Sequence, residues 1–221
     1  MKKYLVYDAY GTLLQVNSTL PGLPAAEQAL SEKIQALWRT KQLEYTWLNS
    51  LMGRFEGFNQ VTLEALDYAF AYYKANNPTL RQAILSIFDA PTAFADAQRF
   101  LGLCKAAGAQ NAILSNGEPD KLQESARIAG IASSLHHVLS ASQVQVFKPS
   151  PRVYQLAVSL YGCQPREVTF FSSNPWDVAG AKTYGFTVVW INRKGLPADN
   201  LGVKPDFEFS SFDDFSLSDL G

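Results

Sequence analysis

The sequence predicts an α/β protein: a parallel sheet with helices on both faces and an inserted α-helical cap after the first strand. Three observations carry that prediction. A short apolar, β-rich run, Tyr4-Leu5-Val6-Tyr7, ends on an acid and a glycine turn, Asp8-Ala9-Tyr10-Gly11-Thr12. From there to about residue 108 the apolar spacing is helical. Beyond it, short β-rich runs alternate with helical segments, the pattern of parallel strands joined by crossover helices.

Each element follows from its residues. A long helix is expected at 25–51, where Leu30, Ile34, Leu37, Trp38, Tyr45, Leu48 and Leu51 fall close to helical spacing. Further helices are expected at 61–73, 79–88 and 93–107, parted by Asn76-Asn77-Pro78 and Ala90-Pro91. Strands are expected at 111–115, 137–140, 168–172, 187–191 and 207–209. Helices at 120–129, 151–161 and 175–184 lie between them. A helical block inserted straight after the first strand argues a lid over that strand's tip.

Composition narrows the function classes. The chain has 221 residues, is 47% hydrophobic and has a mean hydropathy of −0.08, enough for one large domain or a core with a modest second lobe. A formal net charge of −1 gives no electrostatic reason to expect nucleic acid or an anionic membrane as partner. No run approaches the ~18 apolar residues of a membrane-spanning helix. The opening run is too short for a signal peptide's apolar segment, so a cytoplasmic location is expected. Cys104 and Cys163 stand far apart with no CxxC and read as small buried hydrophobes in a reducing compartment. His136 and His137 are adjacent and would face opposite sides of a strand, which argues against a shared metal site or catalytic dyad. There is no GxSxG.

Open α/β sheets place their chemistry at the carboxyl ends of the strands. Four polar segments are expected at that edge: Asp8 to Thr12; Leu114-Ser115-Asn116-Gly117; Phe147-Lys148-Pro149; and Phe171-Ser172-Ser173-Asn174-Pro175-Trp176-Asp177. Plainer readings stand beside these. Asn174-Pro175 and Ser150-Pro151 each suit a helix start, Asn or Ser as N-cap with Pro at the first position, and at Ser150 capping is the whole expectation. Tyr10 also reads as core packing, and Thr12 as a hydroxyl that ties down the turn.

In order and spacing the four segments resemble the motifs of the haloacid dehalogenase superfamily, and their variants are similar to those of L-2-haloacid dehalogenases. The resemblance implies a Rossmann-like core built from residues 1–14 and 96–221, with a helical cap over 15–95. It implies hydrolytic dehalogenation of short L-2-haloacids to D-2-hydroxyacids, with no metal and no cofactor. Asp8 would displace halide from carbon with inversion, and water would then hydrolyse the aspartyl ester. The halide cradle would be Arg39, Asn116 and Trp176. Ser115 and nearby backbone N–H groups would take the substrate carboxylate, while Tyr10, Leu43 and Phe58 would help to wall the pocket. Lys148, Tyr154, Ser172, Asn174 and Asp177 would orient nucleophile and water, with Asp177 the preferred base. Asp8, Asp177 and the substrate bring negative charges that Arg39 and Lys148 do not fully balance. The surplus falls to inward neutral donors, Thr12, Ser115, Asn116, Ser172 and Asn174.

Departures from the superfamily's phosphatases sharpen the expectation. Most carry a second Asp two residues after the first, where this chain has Tyr10, and an acid in the last motif where it has Asn174. Mg²⁺ prefers carboxylate oxygens, and a departing halide needs no proton. Other readings are a hydrolase opening a strained-ring 2-carboxylate by the same attack, a phosphatase (which these departures oppose), and a non-catalytic binding protein on the same fold. Expected partners are a small 2-haloacid and a second copy of the chain, with no nucleic acid and no membrane.

Overall fold

The computed structural model describes residues 4–15, 19–20, 22–216 and 218. In chain order, β1 (Tyr4–Tyr7) and a two-residue β2 (Leu14–Gln15) precede α1 (Ala25–Leu51), α2 (Phe58–Tyr72) and α3 (Pro78–Leu85). A short β3 (Thr92–Ala93) then leads into α4 (Ala95–Ala106). Alternation follows: β4 (Gln110–Ser115), α5 (Pro119–Ile128), β5 (His137–Ser140), α6 (Pro151–Tyr161), β6 (Val168–Ser172), α7 (Pro175–Tyr184), β7 (Thr187–Ile191) and β8 (Phe207–Phe209).

Six strands form one sheet in the order β5-β4-β1-β6-β7-β8, and every neighbouring pair is parallel. From β1 the chain winds outward through β4 and β5, then returns to β6 and winds the other way. That reversal leaves a crevice at the carboxyl ends of β1 and β6, where open α/β sheets bind ligands.

Side-chain alternation along the strands divides the core. Leu5, Tyr7, Ile113, Phe171, Val189 and Ile191 face a layer that includes Phe100 and Leu101 of α4 and Leu122 of α5. Val6, Leu114, Phe170, Val188 and Trp190 face Val153 and Tyr154 of α6 and Val178 and Ala181 of α7. Strands buried on both faces read as near-continuous apolar runs, as these do. The helices α1 to α3 bury a third cluster of their own, among them Ile34, Trp38, Leu66, Phe70, Leu80 and Ile84. No helix among the described residues is long and apolar enough to cross a membrane.

Several boundaries differ from expectation, for local reasons. β2 and β3 pair antiparallel, Leu14 with Ala93 and Gln15 with Thr92, where the apolar spacing suggested helix. A two-residue strand has no period to read. α3 ends at Leu85 and continues as a 3₁₀ turn at Ser86–Phe88. Ser150 stands at the N-cap of α6 but makes no side-chain capping bond; its carbonyl instead accepts from the Val153 N–H at 3.0 Å.

Candidate active site

The loops after β1, β4, β5 and β6 converge at the crevice. The backbone N–H of Asp8 donates to the Phe171 carbonyl at 2.9 Å, continuing the β1–β6 ladder one residue past β1. The Asp8 side chain, 6% exposed, accepts only from donors. Thr12 Oγ1 and Asn174 Nδ2 reach Oδ2 at 3.1 and 2.8 Å, and Lys148 Nζ reaches Oδ1 at 3.3 Å. Ser173 N–H donates to Thr12 Oγ1 at 2.8 Å, so the first and last loops are tied together beside Asp8.

Lys148 is 1% exposed and bridges two acids, with Asp177 Oδ2 at 2.8 Å on its other side. Burial works against its charge, but Asp177 and Asp8 outweigh burial and hold its pKa above the usual lysine range. Asp177 is fully buried and also accepts from Tyr154 OH at 2.8 Å and Ser172 Oγ at 3.1 Å. Burial pushes its carboxyl up to about 6; Lys148 opposes the rise and the Asp8 charge adds to it. Gly180 makes the Tyr154 contact possible, because a Cβ there would lie 2.5 Å from the Tyr154 hydroxyl and 2.5 Å from Pro149 Cβ.

Asn174 occupies the N-cap position of α7, yet its side chain makes no cap. It turns to Asp8 and, more loosely, to the Tyr10 carbonyl at 3.4 Å. Ser172 Oγ accepts the Asn174 N–H at 3.1 Å. On the β4 side, Asn116 Oδ1 accepts the backbone N–H of Lys148 at 2.9 Å, and Ser115 Oγ accepts from Gly117 N–H at 3.3 Å.

The helical side presents the remaining residues. Arg39 on α1 donates through Nη1 to Gln42 Oε1 at 2.7 Å. Burial lowers its pKa and the Asp8 charge pulls the other way, so the guanidinium stands within the field of Asp8. Leu43 is half-buried one turn further along. The Phe58 ring lies 6.2 Å from that of Phe147, the residue before Lys148. Trp176, on the first turn of α7, meets Trp47 of α1 edge to face at 5.8 Å.

Seven of the residues singled out by sequence therefore form one hydrogen-bonded cluster: Asp8, Thr12, Lys148, Tyr154, Ser172, Asn174 and Asp177. Ser115 and Asn116 border it, Asn116 through the Lys148 backbone. Arg39 and Leu43 on α1, Phe58 on α2 and Trp176 on α7 lie outside the cluster's hydrogen bonds. Tyr10 departs most from a pocket role: its hydroxyl pairs with Ser125 Oγ at 3.0 Å and its ring meets Phe88 edge-on. His136 Nδ1 accepts from Asn111 N–H at 3.0 Å, and His137 begins β5, two strands away from β1. Gln42, Glu118 and Gly180 were not singled out by sequence; an interior glycine in a helical pattern was the one available signal.

Residues 2–185 match the family described as haloacid dehalogenase-like hydrolase. The chain is 40% identical over 195 residues to (S)-2-haloacid dehalogenase 1 of Pseudomonas sp. (strain CBS-3), covering 88% of this chain and 86% of that one. Among solved structures it is similar to a dehalogenase with an intermediate complex, at a TM-score of 0.90 and 37% identity, covering 96% of this chain and 94% of that one. It is also similar to L-2-haloacid dehalogenase from Xanthobacter autotrophicus with chloropropionic acid covalently bound, at a TM-score of 0.84 and 34% identity. That match covers 97% of this chain and 96% of the other.

Proposed function

Given that the chain belongs to the haloacid dehalogenase-like hydrolases, we propose that it hydrolyses short (S)-2-haloacids to D-2-hydroxyacids and halide, using neither metal nor cofactor. The observation that carries this reading is the Asp8 carboxylate, held by Thr12, Asn174 and Lys148 at the mouth of the sheet. The relative that holds chloropropionic acid covalently bound supports it.

In the first step an Asp8 oxygen forms a bond to the substrate's second carbon as the carbon–halogen bond breaks, and configuration inverts. The halide leaves with the bonding pair toward Arg39, Asn116 and Trp176. Ser115, with neighbouring backbone N–H groups, holds the substrate carboxylate. Leu43 and Phe58 supply apolar wall. Alignment is where such a site gains most, since orienting two reactants can supply up to ~7–11 kcal/mol of a barrier. In the second step water adds to the Asp8 carbonyl carbon and gives a proton to Asp177. The oxyanion that forms faces Lys148, Thr12 and Asn174. The ester C–O bond then breaks, the departing substrate oxygen takes the proton back from Asp177, and the proton remaining on the Asp8 carboxyl passes to solvent, freeing the hydroxyacid and restoring the carboxylate. A base near 6 is well matched to neutral operation.

A divalent metal does not fit this donor set. Mg²⁺ seeks carboxylate oxygens, whereas the Lys148 ammonium already places a cation between Asp8 and Asp177, and Asn174 presents its amide nitrogen to Asp8. The helices between residues 15 and 95 act as the cap over the site, and residues 1–14 with 96–221 form the catalytic core. A homodimer is proposed on the apolar surface left at the end of α1. Two free thiols, Cys104 and Cys163, suit the cytoplasm.

The test is halide release from L-2-chloropropionate with a chelator present and the D enantiomer beside it. Release from the L acid alone, unchanged by chelator, is expected. No release from either enantiomer would sink the proposal.

A further inference from the structure

The guanidinium of Arg39 has a partner that the reaction scheme leaves out. Gln42, 1% exposed, accepts from Arg39 Nη1 and donates through Nε2 to Thr62 Oγ1 at 2.7 Å. Thr62 in turn donates to the Phe58 carbonyl at 2.7 Å. These directions are forced. Arginine only donates, so the amide oxygen faces it; the amide nitrogen then faces Thr62, whose single proton goes to the carbonyl.

The same residue meets the core at its other end. Phe58 N–H donates to Glu118 Oε1 at 2.7 Å, and Glu118 lies two residues beyond Asn116 on the turn after β4. Phe58 opens α2, so its N–H has no partner within the helix. The N-cap is Gly57, which has no side chain to offer one. Glycine is also what admits the carboxylate, since a Cβ at Gly57 would lie 2.6 Å from Glu118 Oε1. An anionic acceptor at this end of a helix is further favoured by the helix dipole.

We propose that Gln42 and Glu118 are positioning residues for dehalogenation. The chain Glu118–Phe58–Thr62–Gln42–Arg39 sets the guanidinium against the leaving halide when α2 is docked on the turn that carries Ser115 and Asn116. The inference rests on the dehalogenase reading, which gives Arg39 a halide to hold. Chloride is a poorer leaving group than bromide, so chloroacid turnover depends more on a well-placed cation where charge develops.

The experiment compares kcat and KM for L-2-chloropropionate and L-2-bromopropionate in Gln42→Leu, Glu118→Ala and Glu118→Gln, with hydrogen exchange at the Phe58 amide. Gln42→Leu and Glu118→Ala should lower kcat on the chloroacid by about tenfold, the scale of one charge-assisted hydrogen bond, and lower it less on the bromoacid. Glu118→Gln, whose amide oxygen still accepts from Phe58, should recover most of the loss. The Phe58 amide should exchange faster in Glu118→Ala than in the unaltered protein. Equal losses on both acids, or unchanged Phe58 exchange in Glu118→Ala, would overturn the inference. If the unaltered protein releases no halide, the dehalogenase reading falls, while Phe58 exchange still reports on the Glu118 contact by itself.

Discussion

Lys148 owes its place to the two acids beside it, Asp8 and Asp177. An ammonium removed from water is costly unless paired and hydrogen-bonded; here Asp8 and Asp177 stand on either side of it. The arrangement has a pH signature. The proposed base, Asp177, must be ionised to take a proton, so kcat should fall as pH drops through about 6. The Tyr154 hydroxyl stabilises the ionised form, so Tyr154→Phe should raise the Asp177 pKa and move the acid limb upward. A limb that stays in place or moves down would contradict the assignment. Because Lys148 holds its proton above the usual lysine range, it should cause no loss in weakly alkaline buffer. Asp8 was legible in the sequence as an acid at the tip of an apolar run, whereas Lys148 and Asp177 were singled out through the resemblance of the four segments to the family motifs. The Asn116 contact to the Lys148 backbone and the Gln42 contact to Arg39 were not, since a side chain's choice among distant partners leaves no local pattern.

Helix ends were read well where their signals are local. The bounds of α6 and α7 follow from a proline at the first position and a glycine just past the end, at Gly162 and Gly185. The start of α2 was placed three residues late, at 61 instead of Phe58, because its first N–H is satisfied by Glu118, sixty residues away in sequence. Gly180 marks the reverse case, a local oddity with a distant cause. In an exposed helix Gly→Ala stabilises by roughly 0.5–1 kcal/mol. At Gly180 the new methyl meets Tyr154 and Pro149, so Gly180→Ala should instead destabilise by about 1–3 kcal/mol, the usual cost of overpacking. Thermal unfolding measures this, and an unchanged or raised Tm would show that α6 and α7 can part without cost.

Across the whole molecule, the winding of the sheet is what assembles the site. Asp8 and Asn174 meet because β1 and β6 are neighbours, although they are far apart in the chain. Strand–helix alternation predicted a parallel sheet and its helical layers, but it does not fix the order of the strands. The apolar stripe of α1 shows the limit of periodicity. Leu51 fits its spacing, yet Leu51 is 85% and Met52 61% exposed, so the stripe outruns the core beneath it. That surplus is the basis for the proposed dimer. Light scattering should give twice the chain mass, and Leu51→Glu with Met52→Glu should give a folded monomer. A monomeric unaltered protein would remove the proposal.

The central claim is that the substrate passes through an ester on Asp8. Its most direct test is a single turnover of L-2-chloropropionate in heavy-oxygen water with enzyme in excess, followed by mass analysis of the Asp8 peptide and of the hydroxyacid. The account predicts label in the Asp8 carboxylate and none in the product of that first turnover, because water attacks the aspartyl carbon. Label in the hydroxyacid with an unlabelled Asp8 peptide would mean that water attacks the substrate directly, and Asp8 would not be the nucleophile.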